Sequence, residues 1–160
     1  MKHIQKFVII ILTIVLISIV LSNLHKEPRL SDEIVKAIEY KTGDRSSCTI
    51  NISEITKFKW DKMAFYTVGS SNIEVSNALG VWYNESTDSM TGLVFVFHGK
   101  IVYQEQIPYY PEQPAKLWLW LPVDLGSPNC IVVFPYNAVF IGSKDQDNGK
   151  CYYEITPEQR

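Results

Sequence analysis

A chain of 160 residues with 15 basic and 17 acidic side chains is close to neutral, and its basic residues form no cluster. That excludes the electrostatic footprint of a strong nucleic-acid binder. With 46% hydrophobic and 12% aromatic residues and no internal repeat, the composition suits a single domain with a real core.

The first element is Phe7 to Leu24, FVIIILTIVLISIVLSNL, eighteen uncharged residues preceded by Lys2 and Lys6. As a helix it spans roughly 27 Å at ~1.5 Å per residue, near the ~30 Å hydrocarbon thickness of a bilayer. It reads as an uncleaved single-pass anchor. A basic n-region before an apolar run is also the form of a cleaved secretory signal, although Val20-Leu21-Ser22 is a poor small-x-small cleavage site. Either way, the rest of the chain is sent out of the cytoplasm, because long domains translocate largely regardless of charge. The chain then divides into an anchor or signal over 1–24, a juxtamembrane spacer over 25–30 and an extracytoplasmic domain over 31–160.

A helix is predicted from Ser31 to about Thr42, with Ser31 as N-cap, Asp32 and Glu33 in the first turn and Gly43 as the stop. Cys48 to Ile52 alternates as a strand, and Lys57 to Val68 reads as a second strand with a phase shift near Met63. Ser71 and Glu74 have the spacing of a capping box, predicting a short helix over 72–79 that Gly80 ends. Leu93–Phe97 and Lys100–Tyr103 flank His98-Gly99 as a hairpin with a type I′ turn. Pro108 to Pro114 is a break. KLWLWL over Lys116–Leu121 then alternates, Trp118 and Trp120 on one face and the leucines on the other. Short strands are predicted at Ile131–Phe134, Ala138–Ile141 and Cys151–Ile155. The fold class is therefore α+β: about seven or eight mostly antiparallel strands with two short helices packed on the sheet.

Outside the cytoplasm the three cysteines suggest one disulfide, with Cys130–Cys151 the favoured pair because the two lie close in sequence. A simple three-strand meander would place them ~10 Å apart, beyond the ~7 Å Cα limit, and Cys48 would then partner one of them. With no CxxC and with His3, His25 and His98 scattered, no metal or other cofactor is expected.

The segments ISEITKFKWDKMAFYTV, the capped helix ending LGV, and LVFVFHGKIVY together resemble a loose group of small uncharacterised bacterial secreted or membrane-anchored proteins. Those proteins carry a W-D-x-[ML] strand, a short helix and a [LV]-F-[VL]-x-x-G-K hairpin. The resemblance covers residues 52–107 and implies localisation and fold, with no activity to carry over.

Trp60-Asp61 admits two readings: a polar group in a cleft ringed by aromatics, or a core tryptophan with Asp61 bonded to backbone near a bulge. His98 reads as a turn residue. No G-x-S-x-G, H-E-x-x-H, P-loop or G-x-G-x-x-G occurs. Tyr109, Tyr110, Trp118 and Trp120 are the candidate partner contacts, since Tyr and Trp are enriched at binding hot spots and the PYYPEQP loop presents two tyrosines rigidly. The expected function is a membrane-tethered binding domain, an accessory, envelope or immunity-type protein with a protein partner and no nucleic acid. The alternative is a hydrolase acting on envelope material through Asp61, Glu105 or His98.

Overall fold

The computed structural model describes residues 28–43, 45–110, 115–122, 128–147 and 149–158. The expected anchor over 1–24 lies outside the described residues, and among the described residues no helix is long and apolar enough to cross a membrane.

Helix α1 (Leu30–Thr42) starts one residue before the predicted Ser31 cap, and its N-cap Arg29 makes no side-chain bond. It is capped from elsewhere in the chain. β1 (Ser47–Asn51) runs into a one-turn α2 (Ile52–Ile55), where the Asn51 side chain accepts from the Ser53 N–H. The long strand expected over 57–68 shrinks to β2 (Lys62–Tyr66). In residues 57–61 Phe58 and Trp60 instead turn inward, Trp60 packing edge-on against Phe95 with ring centroids 5.2 Å apart. Helix α3 (Asn72–Leu79) carries the full Ser71–Glu74 capping box and ends at Gly80 in the left-handed region, as predicted.

β3 (Met90–Phe97) and β4 (Lys100–Pro108) form the hairpin; His98 and Gly99 both have positive φ, at 49° and 73°, which a type I′ turn requires. β5 (Leu117–Leu119), β6 (Cys130–Val133), β7 (Val139–Asp147) and β8 (Lys150–Pro157) complete the strands.

The eight strands form two four-stranded sheets, where one was expected: β1-β7-β8-β5 (sheet I) and β4-β3-β2-β6 (sheet II). All pairs are antiparallel except β5–β8. A simple meander through the last three strands is broken at Pro135, which has no N–H to offer a ladder. There a 3-10 turn over Pro135–Asn137 lifts the chain from β6 in sheet II to β7 in sheet I.

The inner faces meet in the main core, where Ile50, Phe140, Tyr153 and Ile155 of sheet I share a cluster with Met63, Phe65, Leu93 and Phe95 of sheet II. α1 bridges both inner faces. It approaches β7 so closely that a Cβ on Gly142 would stand 2.6 Å from Ile38 Cγ1. The outer face of sheet II is covered by α3, with Val75 and Leu79 against Ala64, Tyr66, Val94 and Val96.

The outer face of sheet I holds the other phase of the same strands, including Ile141, Tyr152, Glu154 and Thr156, all half-buried. Thr156 Oγ1 there is inaccessible to solvent and has no hydrogen-bond partner among the described residues. Thr156→Val keeps the β-branched shape and removes the orphaned hydroxyl, so it is expected to stabilise the fold by about 1 kcal/mol. Urea unfolding checks this, and a destabilised variant would mean that the hydroxyl has a partner.

Candidate functional site

The predicted aromatic contacts lie where the end of β4 meets β5. Leu117, Leu119 and Leu121 fill the core, so alternation turns Trp118 and Trp120 outward. Tyr109, pinned by its N–H to the Ser89 carbonyl at 2.9 Å, meets Trp118 in a T-shaped contact with centroids 5.6 Å apart. Trp118 Nε1 donates to the Ala115 carbonyl at 3.0 Å, which fixes the indole. Tyr110 is 52% exposed and Trp120 43%. Four aromatics thus form one rim, two clasped together and two open to solvent.

Trp60 and Asp61 are elsewhere. Trp60 is buried and donates through Nε1 to Thr56 Oγ1 at 2.9 Å. Asp61 is exposed, and its carboxylate accepts from the His98 backbone N–H at 2.8 Å, holding the hairpin tip. Glu105 is buried on β4, where it accepts from the Ser31 N–H at 3.1 Å, the Ser31 hydroxyl, and the Tyr103 hydroxyl at 2.7 Å. Tyr103 in turn accepts from the Leu30 N–H at 2.9 Å. Together Tyr103 and Glu105 cap α1.

The two candidate carboxylates do not converge, and Asp61 meets His98 only through the His98 backbone N–H. Asp61 bonds through its own N–H to Val96, while Glu105 pairs with Leu93, three residues along β3 and on the far neighbouring strand. That separation is roughly 14 Å from strand rise and spacing, beyond the ~5–10 Å of working carboxylate pairs. The cleft of about 480 Å³ beside Glu105 is lined by Arg29, Asp32 and Lys116 as well, but its buried carboxylate is committed to capping. Among the described residues no group of His, Cys, Asp and Glu is placed to hold a metal.

All three cysteines are free, so the expected Cys130–Cys151 bridge is not made. After the jump at Pro135, Cys130 ends in sheet II and Cys151 in sheet I. Burial, and then the nearby Glu74 charge, push the Cys130 thiol up to about 11, keeping it unreactive at neutral pH. Thiol titration of the denatured chain is expected to find all three thiols, and a reductant to leave Tm unchanged. Losing a real bridge would cost about 2–4 kcal/mol, a shift easily seen.

The residue that no sequence motif singles out is Glu154, on the outer face of sheet I. It pairs in register with Trp118 and with Ser143. Burial raises its carboxyl above the ordinary value of 4.5. The folded state therefore holds this proton more tightly than the unfolded chain. Its contribution to stability is fully present below pH 4.5 and lost as pH rises through the raised value. Glu154→Gln is expected to flatten that decline and to be more stable than wild type at pH 7. Melting curves across the acid range check it, and an unchanged pH profile would refute it. The signal in the sequence was the strand CYYEITP, which places Tyr152, Glu154 and Thr156 on one face.

In comparisons with known proteins the chain matches no protein-family model, no curated protein and no solved structure.

Proposed function

We propose that the protein is a membrane-tethered extracytoplasmic domain that binds a partner through its aromatic rim: Tyr109, Tyr110, Trp118 and Trp120. The apolar run over 7–24 supports the tether, and the resemblance to small bacterial anchored proteins agrees with it. The observation that carries the binding reading is the rim itself. Two tyrosines and two tryptophans gather at one end of the fold, with Tyr110 and Trp120 about half exposed. Solvent-facing Tyr and Trp held on rigid backbone are the side chains that anchor interfaces. Catalysis is the weaker reading, because Asp61 and Glu105 are each engaged in holding secondary structure.

The full chain, tagged after Arg160 and solubilised from membranes, is the bait for the test. The partner it captures is expected to be lost on Tyr109→Ala plus Tyr110→Ala, with the variant's melting temperature showing that it still folds. Capture at full yield by the folded double variant would mean that the rim is not the site. A topology reporter at the same terminus that behaves as cytosolic would end the tethered reading.

A further inference from the structure

The two sheets differ in how their outer faces are covered. Sheet II lies under α3, whereas among the described residues no helix packs on the outer face of sheet I, whose side chains are half-buried. That face continues from the rim: Trp118 stands beside Glu154, and the Trp120 N–H bonds to Ile155 O, placing its indole beside Thr156 and, across the strand, Ile141. Tyr152 completes it on the other side of Glu154.

Its charge is one-sided. Glu154 is half-buried with neither a hydrogen bond nor an ion pair among the described residues, and Asp145 lies in the same phase of β7. Lys150, the nearest cation in that phase, is four residues away at the hairpin tip, roughly 13 Å along the strand. Lys116 turns to the opposite side, its Nζ 5.4 Å from the Tyr153 ring centroid and 4.0 Å from Glu39.

We propose that this face takes a basic polypeptide segment, seating an arginine or lysine side chain on Glu154 between Trp118 and Trp120. The seat rests on the proposed binding function and names its partner's chemistry. A desolvated carboxylate without a counter-ion is costly, and a cation supplies what it lacks. The two indoles of the neighbouring β5 attract the same cation through their π systems, and a guanidinium stacks on them best. A second copy of this chain would press Glu154 toward Glu154 across a two-fold axis, which like charge opposes. Anionic lipid headgroups meet the same repulsion.

The test is titration of labelled hexa-arginine into the full chain in detergent, read by fluorescence anisotropy, with hexa-glutamate as the opposite-charge probe. Hexa-arginine is expected to bind and hexa-glutamate not. Glu154→Gln should weaken binding about tenfold, as for loss of one charge-assisted bond. Trp120→Ala should weaken it about threefold. Asp88→Asn, the same charge change in the loop before β3, should alter it less than twofold. If Glu154→Gln matches Asp88→Asn while Trp120→Ala and Tyr110→Ala still weaken binding, the cation seat is wrong and the aromatic rim stands. If none of the variants has an effect, both fall. Binding that emerges only after residues 1–27 are deleted would give the face to the chain's own N-terminal segment and overturn the proposal.

Discussion

Replacing Glu105 by alanine is expected to cost about 3 kcal/mol or more of folding stability. α1 begins at Leu30 without a side-chain cap of its own, so its first-turn donors need acceptors from elsewhere. Tyr103 takes the Leu30 N–H, and Glu105 takes both the N–H and the hydroxyl of Ser31 as well as the Tyr103 hydroxyl. Hydrogen bonds to a charged group contribute about 1.5–3 kcal/mol each, and each polar group left buried without a partner adds its own cost. The terms are coupled, so they do not simply add. Glu105→Gln keeps the shape and one acceptor oxygen, and about 1–2 kcal/mol of loss is expected.

Urea midpoints measure both variants, and hydrogen exchange at the Ser31 amide shows whether the first turn frays. An alkaline arm tests the same network. Burial, and then the bond to Glu105, push the Tyr103 hydroxyl up to about 12 from its ordinary 10. The stability tied to that proton is present below pH 10 and lost as pH rises through about 12. Glu105→Ala should soften that loss. A variant as stable as wild type would mean that Glu105 is not the cap and would return it to the catalytic candidates.

What the sequence disclosed well was local. The Ser71–Glu74 box, the His98-Gly99 turn and the leucine–tryptophan alternation of β5 each lie within a few residues, where side chain and backbone alone decide the conformation. What it concealed was long-range. Nothing near Cys130 says that β6 joins β2 rather than β7, because that choice depends on which face each strand must bury. The single-sheet expectation failed there. Glu105 was half-legible: in KIVYQEQIP it falls in phase with Tyr103 and Ile107, and a carboxylate on a core-facing phase implies a committed partner. Trp60-Asp61 looked distinctive for a plain reason. The strand begins late, at Lys62, so of the two residues before it one side chain is driven into the core and the other toward a turn N–H.

Gly92→Ala is expected to destabilise the fold by about 3–4 kcal/mol, a large share of the ~5–15 kcal/mol that domains possess. Gly92 sits in β3, an inner strand of sheet II, in register with Tyr66 on one side and Gln106 on the other. The Tyr66 ring lies across it, and a Cβ there would stand 2.5 Å from both Cζ and Oη. The ring has no room to retreat: it is fully buried, and its hydroxyl is held by Tyr83 at 3.2 Å and by Gln106 Nε2 at 3.2 Å. Overpacking of this kind costs about 1–3 kcal/mol, and displacing the hydroxyl forfeits about 1 kcal/mol for each bond.

Space rather than backbone conformation is the cause, since Gly92 does not occupy the left-handed region. Gly99 is the reverse case, with φ +73° and nothing within 4 Å of a built Cβ; Gly99→Ala should cost only about 1 kcal/mol. Compensation separates the two causes. Tyr66→Leu withdraws the far end of the ring, so the Gly92→Ala, Tyr66→Leu pair should be more stable than the sum of the single losses by about 1–2 kcal/mol in a double-mutant cycle. Strict additivity would mean that the alanine acts on the strand itself and that the ring across Gly92 does not set the requirement.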